Sequence, residues 1–202
     1  MDGVSVIVVV LFVATIFSSL GGDKGHRPKE TASEPVAFTQ EVISNLPEPD
    51  YYAETGEAPY TSILNFVSQY RQEDEAKVIT SSIVKYAKDY DVNPKLVTAL
   101  MARESRFNPS AVSSSGAVGL GQLLPSTCTT VGIADPYDID QNAKGTARYM
   151  KYLLDRFEKY NQRMQFALAG YLEGPNAVER QLGYKSHTSS YIRDIINIYH
   201  KI

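Results

Sequence analysis

Glu104 ends an apolar helical stripe, and it is the residue of this chain best placed to move a proton. Asn93 suits the N-cap, and Pro94 suits the first helical position, where a missing N–H costs nothing. From there Val97, Leu100, Met101 and Glu104 fall at i, i+3, i+4 and i+7, so they share one helix face. A buried face disfavours an ionised carboxylate, and the partial negative charge of a helix C-terminus repels one. Both raise the pKa, towards an acid that keeps its proton near neutral pH. Perturbed carboxylates mark sites only as a tendency. The plainer alternative is a partly exposed Glu at a frayed helix end, helped by Arg103 or Arg106.

Several elements must position this carboxylate. The segment from Ser105 to Gln122 holds turn formers, small hydroxyls and Gly116, Gly119 and Gly121, which suit a groove floor where the backbone is approached closely. Helix resumes near Leu123 to Thr127. Upstream, Ala76, Ile79, Ile83, Tyr86 or Ala87, and Tyr90 make one stripe. Ala143, Ala147, Met150, Leu153, Leu154 and Phe157 make another, with Asp140 as a suitable N-cap. Phe166 to Tyr171 reads as a short helix ended near Gly174-Pro175. Ile192, Ile195, Ile196 and Tyr199 form the last stripe, capped by Thr188 or Ser189. A short hairpin within Asn108 to Ala117 is the one competing strand signal. The fold class is mainly α, a helical domain preceded by a hydrophobic N-terminal segment.

Composition narrows the function classes. The 202 residues carry a net charge of −3, and no basic stripe stands out, which argues against a nucleic-acid partner. The single Cys128 excludes an internal disulfide framework and offers no metal cluster, and His26, His187 and His200 are too scattered for a ligand set. No cofactor and no metal are expected. Fourteen Tyr with no Trp bias the surface towards amphipathic contacts with sugars, for which Tyr171, Tyr184 and Tyr191 are candidates.

The N-terminus differs in kind. Val4 to Leu20 runs without a charge, near the lower limit for crossing a bilayer. Residues 1–22 therefore read as a signal or anchor segment, an uncleaved anchor being favoured for want of a small-residue cleavage site. Residues 23–72 read as a Pro-rich acidic tether and approach segment, since five of the ten prolines fall between Gly21 and Pro59. Tyr51 to Tyr70 are more apolar and suit a short helix docking on the main domain. Residues 73–202, about 130, are enough to fold alone as the main domain.

The residues after Glu104 resemble the soluble lytic transglycosylase (SLT) domain of the goose-lysozyme-like group. The family pattern E-S-x-F-N-P-x-A-x-S-x-x-G-A-x-G-L-M-Q-x-x-P-x-T is matched at Glu104, Ser105, Phe107, Asn108, Pro109, Ala111, Ser113, Gly116, Ala117, Gly119, Leu120, Gln122, Pro125 and Thr127. Further matches are the Asn142 to Met150 segment, the Ala169 to Pro175 segment and Tyr191-Ile192-Arg193 with Tyr199. The resemblance implies an α+β lysozyme-like architecture around a substrate cleft. It also implies cleavage of the β-1,4 bond between N-acetylmuramic acid and N-acetylglucosamine in peptidoglycan, with 1,6-anhydro product ends.

Carried over, Glu104 would be the acid and then the base, a substrate-assisted route in which one carboxylate suffices. Ser113 would support it by hydrogen bonding, Gln122 would contact substrate, and the Tyr171 phenol would orient the carboxyl. The plainer alternatives are a turn cap for Ser113, a solvated helix start for Gln122 and core packing for Tyr171. The partners implied are peptidoglycan glycan strands and a membrane. The implied setting is the cell envelope or periplasm, with wall remodelling, a secretion or conjugation machine, or a phage entry particle all open.

The chain departs from the pattern at Leu172 and Glu173, at Gly121 in place of Met, and at His187-Thr188 in place of a Glu-Thr pair. Glu173, were it in the groove, could orient a water and make the enzyme a muramidase. Its place two residues after Tyr171 on a helix argues for an exposed side chain instead. A non-catalytic wall-binding or virion structural module is the alternative from another class.

Overall fold

The computed structural model describes residues 57–202. The anchor segment, and the tether up to residue 56, lie outside the described residues. Eight helices follow in order: α1 (Glu57–Val67), α2 (Glu73–Asp89), α3 (Pro94–Ser105), α4 (Pro125–Val131), α5 (Ile139–Arg156), α6 (Arg163–Glu173), α7 (Pro175–Gln181) and α8 (Ser186–Tyr199).

The Glu104 helix α3 is the centre of the domain. Asn93 caps it, its side chain accepting from the Lys95 amide, and every residue from Leu96 to Ala102 is buried. A helix apolar on all sides must be surrounded, and α3 packs against α8, α2, α1 and α5. Leu96, Val97, Leu100 and Met101 are at most 1% exposed, each contributing roughly 1.5–3 kcal/mol of burial. The same core takes in Ile63, Phe66 and Val67 of α1, so it reaches back ahead of residue 73, where the sequence places the start of the domain.

Three local expectations change. Asp138, not Asp140, caps α5 by accepting from the Gln141 amide. Asp140 instead accepts from Ser82 Oγ and from the Tyr86 hydroxyl, which ties α5 to α2. The last helix starts earlier than its stripe suggests and has Lys185 at its cap position without a side-chain cap, while Thr188 is buried within the first turn. Third, Gly174, at φ +84°, ends α6 as expected, but Pro175 at once opens a further helix, α7.

The expected hairpin reduces to two isolated antiparallel bridges, Val112 with Val118 and Val118 with Leu123. Among the described residues no β-strand forms. Arg106, Phe107 and Gln122 all adopt positive φ without being glycine, so the segment is too sharply turned for a ladder. Phe107 plugs it into the core, fully buried against the rings of Phe66 and Tyr70.

Candidate active site

Glu104 sits one residue before the end of α3, and the carboxyl faces α8. Its partner there is Tyr191, whose hydroxyl donates to Oε1 at 2.5 Å. Burial raises the Glu104 pKa to about 7, against the weaker opposing effects of the Tyr191 hydrogen bond and the nearby Arg103 charge. Glu104 nonetheless keeps part of its surface open. No second carboxylate is among the groups that shift it.

Arg103 is itself held, its Nε donating to Asp194 at 3.1 Å while its guanidinium lies 5.5 Å from the Tyr191 ring centre. Charge and ring thus come from α3 and α8 together. Tyr191 is 5% exposed, and burial pushes its phenol well above the usual tyrosine range. It remains a proton donor to Glu104 at neutral pH.

Tyr171 does not make the bond expected of it. Its hydroxyl donates to the Gly121 carbonyl at 2.6 Å, with the Thr146 hydroxyl beside it. It still lies within electrostatic reach of Glu104, as a wall of the site. The carboxyl is oriented by Tyr191 from the last helix instead. The sequence pointed to Tyr191 as a site residue but did not reveal this role, because α3 and α8 are distant in the chain.

Ser113 is engaged in its own turn. Its Oγ accepts from the Ala117 amide at 3.0 Å and shares a 2.8 Å bond with Ser115 Oγ. This is the turn cap of the plainer alternative, and no hydrogen bond joins it to Glu104. Gln122 lies in a turn at φ +51°, three residues before α4 starts. Its amide nitrogen donates to Ala111 and Gly119 carbonyls at 3.1 and 3.0 Å. The amide oxygen is the atom left for a ligand.

Two residues missed in the sequence build the loop. Asn142, fully buried on α5, accepts from the Gly121 amide and donates to the carbonyls of Val118 and Pro136. Ser105 Oγ donates to the Leu120 carbonyl at 2.7 Å and accepts from the Asn108 amide at 3.1 Å. Gly121 therefore has a reason other than a loosened helix start. A Cβ there would stand 2.1 Å from Thr146 Oγ1 and 3.0 Å from the Tyr171 hydroxyl. The signal for Asn142 was its buried-stripe position next to Ala143, where a polar residue needs partners.

Glu173 is half-buried rather than exposed. Its Oε1 accepts from the Lys185 amide at 2.9 Å and from the Thr188 hydroxyl, and Oε2 is buried without a partner. Of the candidate sugar platforms, Tyr171 and Tyr184 are half-buried and Tyr191 is turned inward. Among the described residues the exposed tyrosines are Tyr70, Tyr137 and Tyr152, at 42%, 50% and 44%. Among the described residues no three His, Cys, Asp or Glu gather as a metal site.

A helical domain of this architecture, with a part-buried glutamate held between two of its helices, is of the lysozyme-like class. In fold it is similar to the 70 kDa soluble lytic transglycosylase of Escherichia coli (TM-score 0.54, 18% identity, 71% of this chain and 29% of that one). The transglycosylase SLT domain family matches residues 81–193, more than half of the chain, and the chain belongs to that family. It is 34% identical over 106 residues to a transglycosylase of Enterobacteria phage PRD1, covering 52% of this chain and 38% of that protein. It is 30% identical over 130 residues to membrane-bound lytic murein transglycosylase F of Pectobacterium atrosepticum, covering 63% and 26%. The chain thus spans well under half the length of these relatives.

Proposed function

We propose that this protein is a peptidoglycan lytic transglycosylase that cleaves the N-acetylmuramic acid–β-1,4–N-acetylglucosamine bond, with Glu104 acting as acid and then as base. The observation that carries this reading is a lone half-buried carboxylic acid with a pKa near 7, donated to by one tyrosine. Such an acid is protonated in a useful fraction at neutral pH and is basic enough to recover a proton afterwards.

In the first step the Glu104 proton passes to the glycosidic oxygen as the bond to C1 breaks. The carboxylate then removes the C6 hydroxyl proton while that oxygen closes on C1, giving the 1,6-anhydro end and restoring the acid. No water enters the balance. Hydrolysis would require a group to orient water, and Glu173, the residue considered for it, is bonded to the start of α8. A solved lytic transglycosylase Slt from Pseudomonas aeruginosa, 21% identical, is described as an inactive glutamate-to-glutamine mutant, in keeping with an essential acid.

Among the described residues no helix is long and apolar enough to cross a membrane. The uncharged apolar run Val4 to Leu20 supports anchoring in a membrane, and action is assigned to the cell wall, in an envelope or a phage particle. Mass spectrometry of digested peptidoglycan tests the chemistry. Muropeptides lacking one water are expected, and fully hydrated reducing ends throughout would identify a muramidase instead.

A further inference from the structure

We propose that Glu173 is a positioning residue for the acid: by pinning the first turn of α8 it sets Tyr191 against Glu104. This rests on the reading of Glu104 as the acid. The N-terminus of α8 lacks a side-chain cap of its own. In the approach to it Leu182 is 81% exposed, and Lys185 and Ser186 are exposed as well. The far part of α8 is fixed by the buried Ile192, Ile195 and Ile196.

Glu173 supplies the missing cap from another helix. It is the last residue of α6, and one carboxylate oxygen takes both the Lys185 amide and the hydroxyl of the fully buried Thr188. A negative group at a helix N-terminus also complements the helix dipole. Its other oxygen is buried and unpartnered, a cost that ordinary surface capping would not incur. Thr188 lies three residues before Tyr191, so both project from the same face of α8. The connection then runs from Glu173 through Thr188 and one helical turn to Tyr191, and across to Glu104. Because α6 also carries Tyr171, one helix places a wall of the site directly and its tyrosine donor at second hand.

The groups facing Glu104 are Tyr191 from α8, Tyr171 from α6 and Arg103 from α3, the last paired with Asp194. Withdrawing the Tyr191 hydroxyl removes a bond that favours the carboxylate, so the Glu104 titration must move upward. The test is carboxyl-carbon NMR titration of Glu104 in the full chain, which needs no turnover and so stands apart from the assigned reaction.

Tyr191→Phe is expected to raise the midpoint by about one pH unit, and Glu173→Ala to raise it in the same direction. Glu173→Gln, whose amide oxygen still accepts both hydrogen bonds, should restore it. Adding Glu173→Ala to Tyr191→Phe should add no further shift, as for two changes acting through one contact. If Glu173→Ala does not fold, Thr188→Val breaks the same link with little change in volume and carries the same expectation. An unchanged or lowered midpoint in these variants, or an added shift in the double variant, would overturn the proposal. Failure of the wild type to release wall fragments would sink the assigned reaction and leave this titration result standing.

Discussion

The contact between α3 and α8 and the loop from Arg106 to Leu124 both border Glu104, yet they are built on opposite terms. The helix contact is regular backbone that spends its side chains on Glu104: Tyr191 donates to it, and Arg103 acts on it while pairing with Asp194. The loop is irregular backbone that spends its polar groups on itself. Ser105, Ser113, Gln122 and the inserted Asn142 all bond loop carbonyls or amides. Motif residues are nevertheless far denser in the loop. A dense motif thus reports the demands of an unusual backbone at least as much as it reports chemistry.

The comparison breaks most visibly at its centre. Glu104→Gln keeps the shape of the side chain and removes the transferable proton. Release of soluble fragments from purified cell walls should fall about a thousandfold, while the circular dichroism spectrum stays unchanged. A mutant that releases as much as the wild type would remove the helix contact from the chemistry altogether.

The loop should fail through stability instead. Asn142→Ala strands the Gly121 amide and the Val118 and Pro136 carbonyls in a buried place. About 3 kcal/mol or more of stability should be lost, read from the denaturant midpoint. Equal stability with lost activity would instead make Asn142 part of the chemistry.

Stability also separates the regions by pH. The folded-state pKa of Glu104 is raised from 4.5 to about 7, so folding favours the protonated form. That contribution is complete below pH 4.5 and is lost as pH rises through 7. Glu104→Gln cannot ionise. It should match the wild type near pH 4 and exceed it by roughly 3 kcal/mol above pH 8. Thermal melting at the two pH values checks this, and a constant difference would mean that Glu104 ionises without penalty.

The two tyrosines sharpen the contrast. Tyr191→Phe should lower the rate about tenfold and move the alkaline limb of the pH–rate profile upward, because the lost bond had favoured the Glu104 carboxylate. Tyr171→Phe loses its bond to the Gly121 carbonyl. It should cost about 1 kcal/mol of stability and leave that limb in place. A matching shift in both would show that Tyr171 also reaches the carboxyl.

What could be read in advance follows the same division. Helices α2, α3, α5, α6 and α8 were legible because apolar residues recur at helical spacing, and Asn93-Pro94 marks a start on local chemistry alone. Glu104 was legible because a carboxylate is out of place on such a stripe. Its partner was not, since Tyr191 reaches it only through the packing of α8 on α3 across most of the domain. The cap of α5 lies two residues before the one its stripe suggests, because Asp138 and Asp140 are equally good caps and tertiary contacts with Ser82 and Tyr86 claim the second. Helical spacing sets Glu173 apart from Tyr171 and so predicts an exposed side chain. The spacing is right, but the face it points to is covered by the start of α8. Sequence periodicity gives the direction of a side chain and not what lies there.

The smallest expected effect is the most direct probe of the loop. Ser113 Oγ accepts from the Ala117 amide and closes a turn whose residues lean on one another. Ser113→Ala should lower stability by about 1 kcal/mol, and the Glu104 carboxyl should titrate with an unchanged midpoint. The family resemblance implies otherwise, that this hydroxyl supports the acid. A hydroxyl that reached Glu104 would favour its carboxylate, and its removal would raise the midpoint as Tyr191→Phe does. One titration of the free protein therefore decides between a loop that shapes the groove and a loop that also tunes the proton.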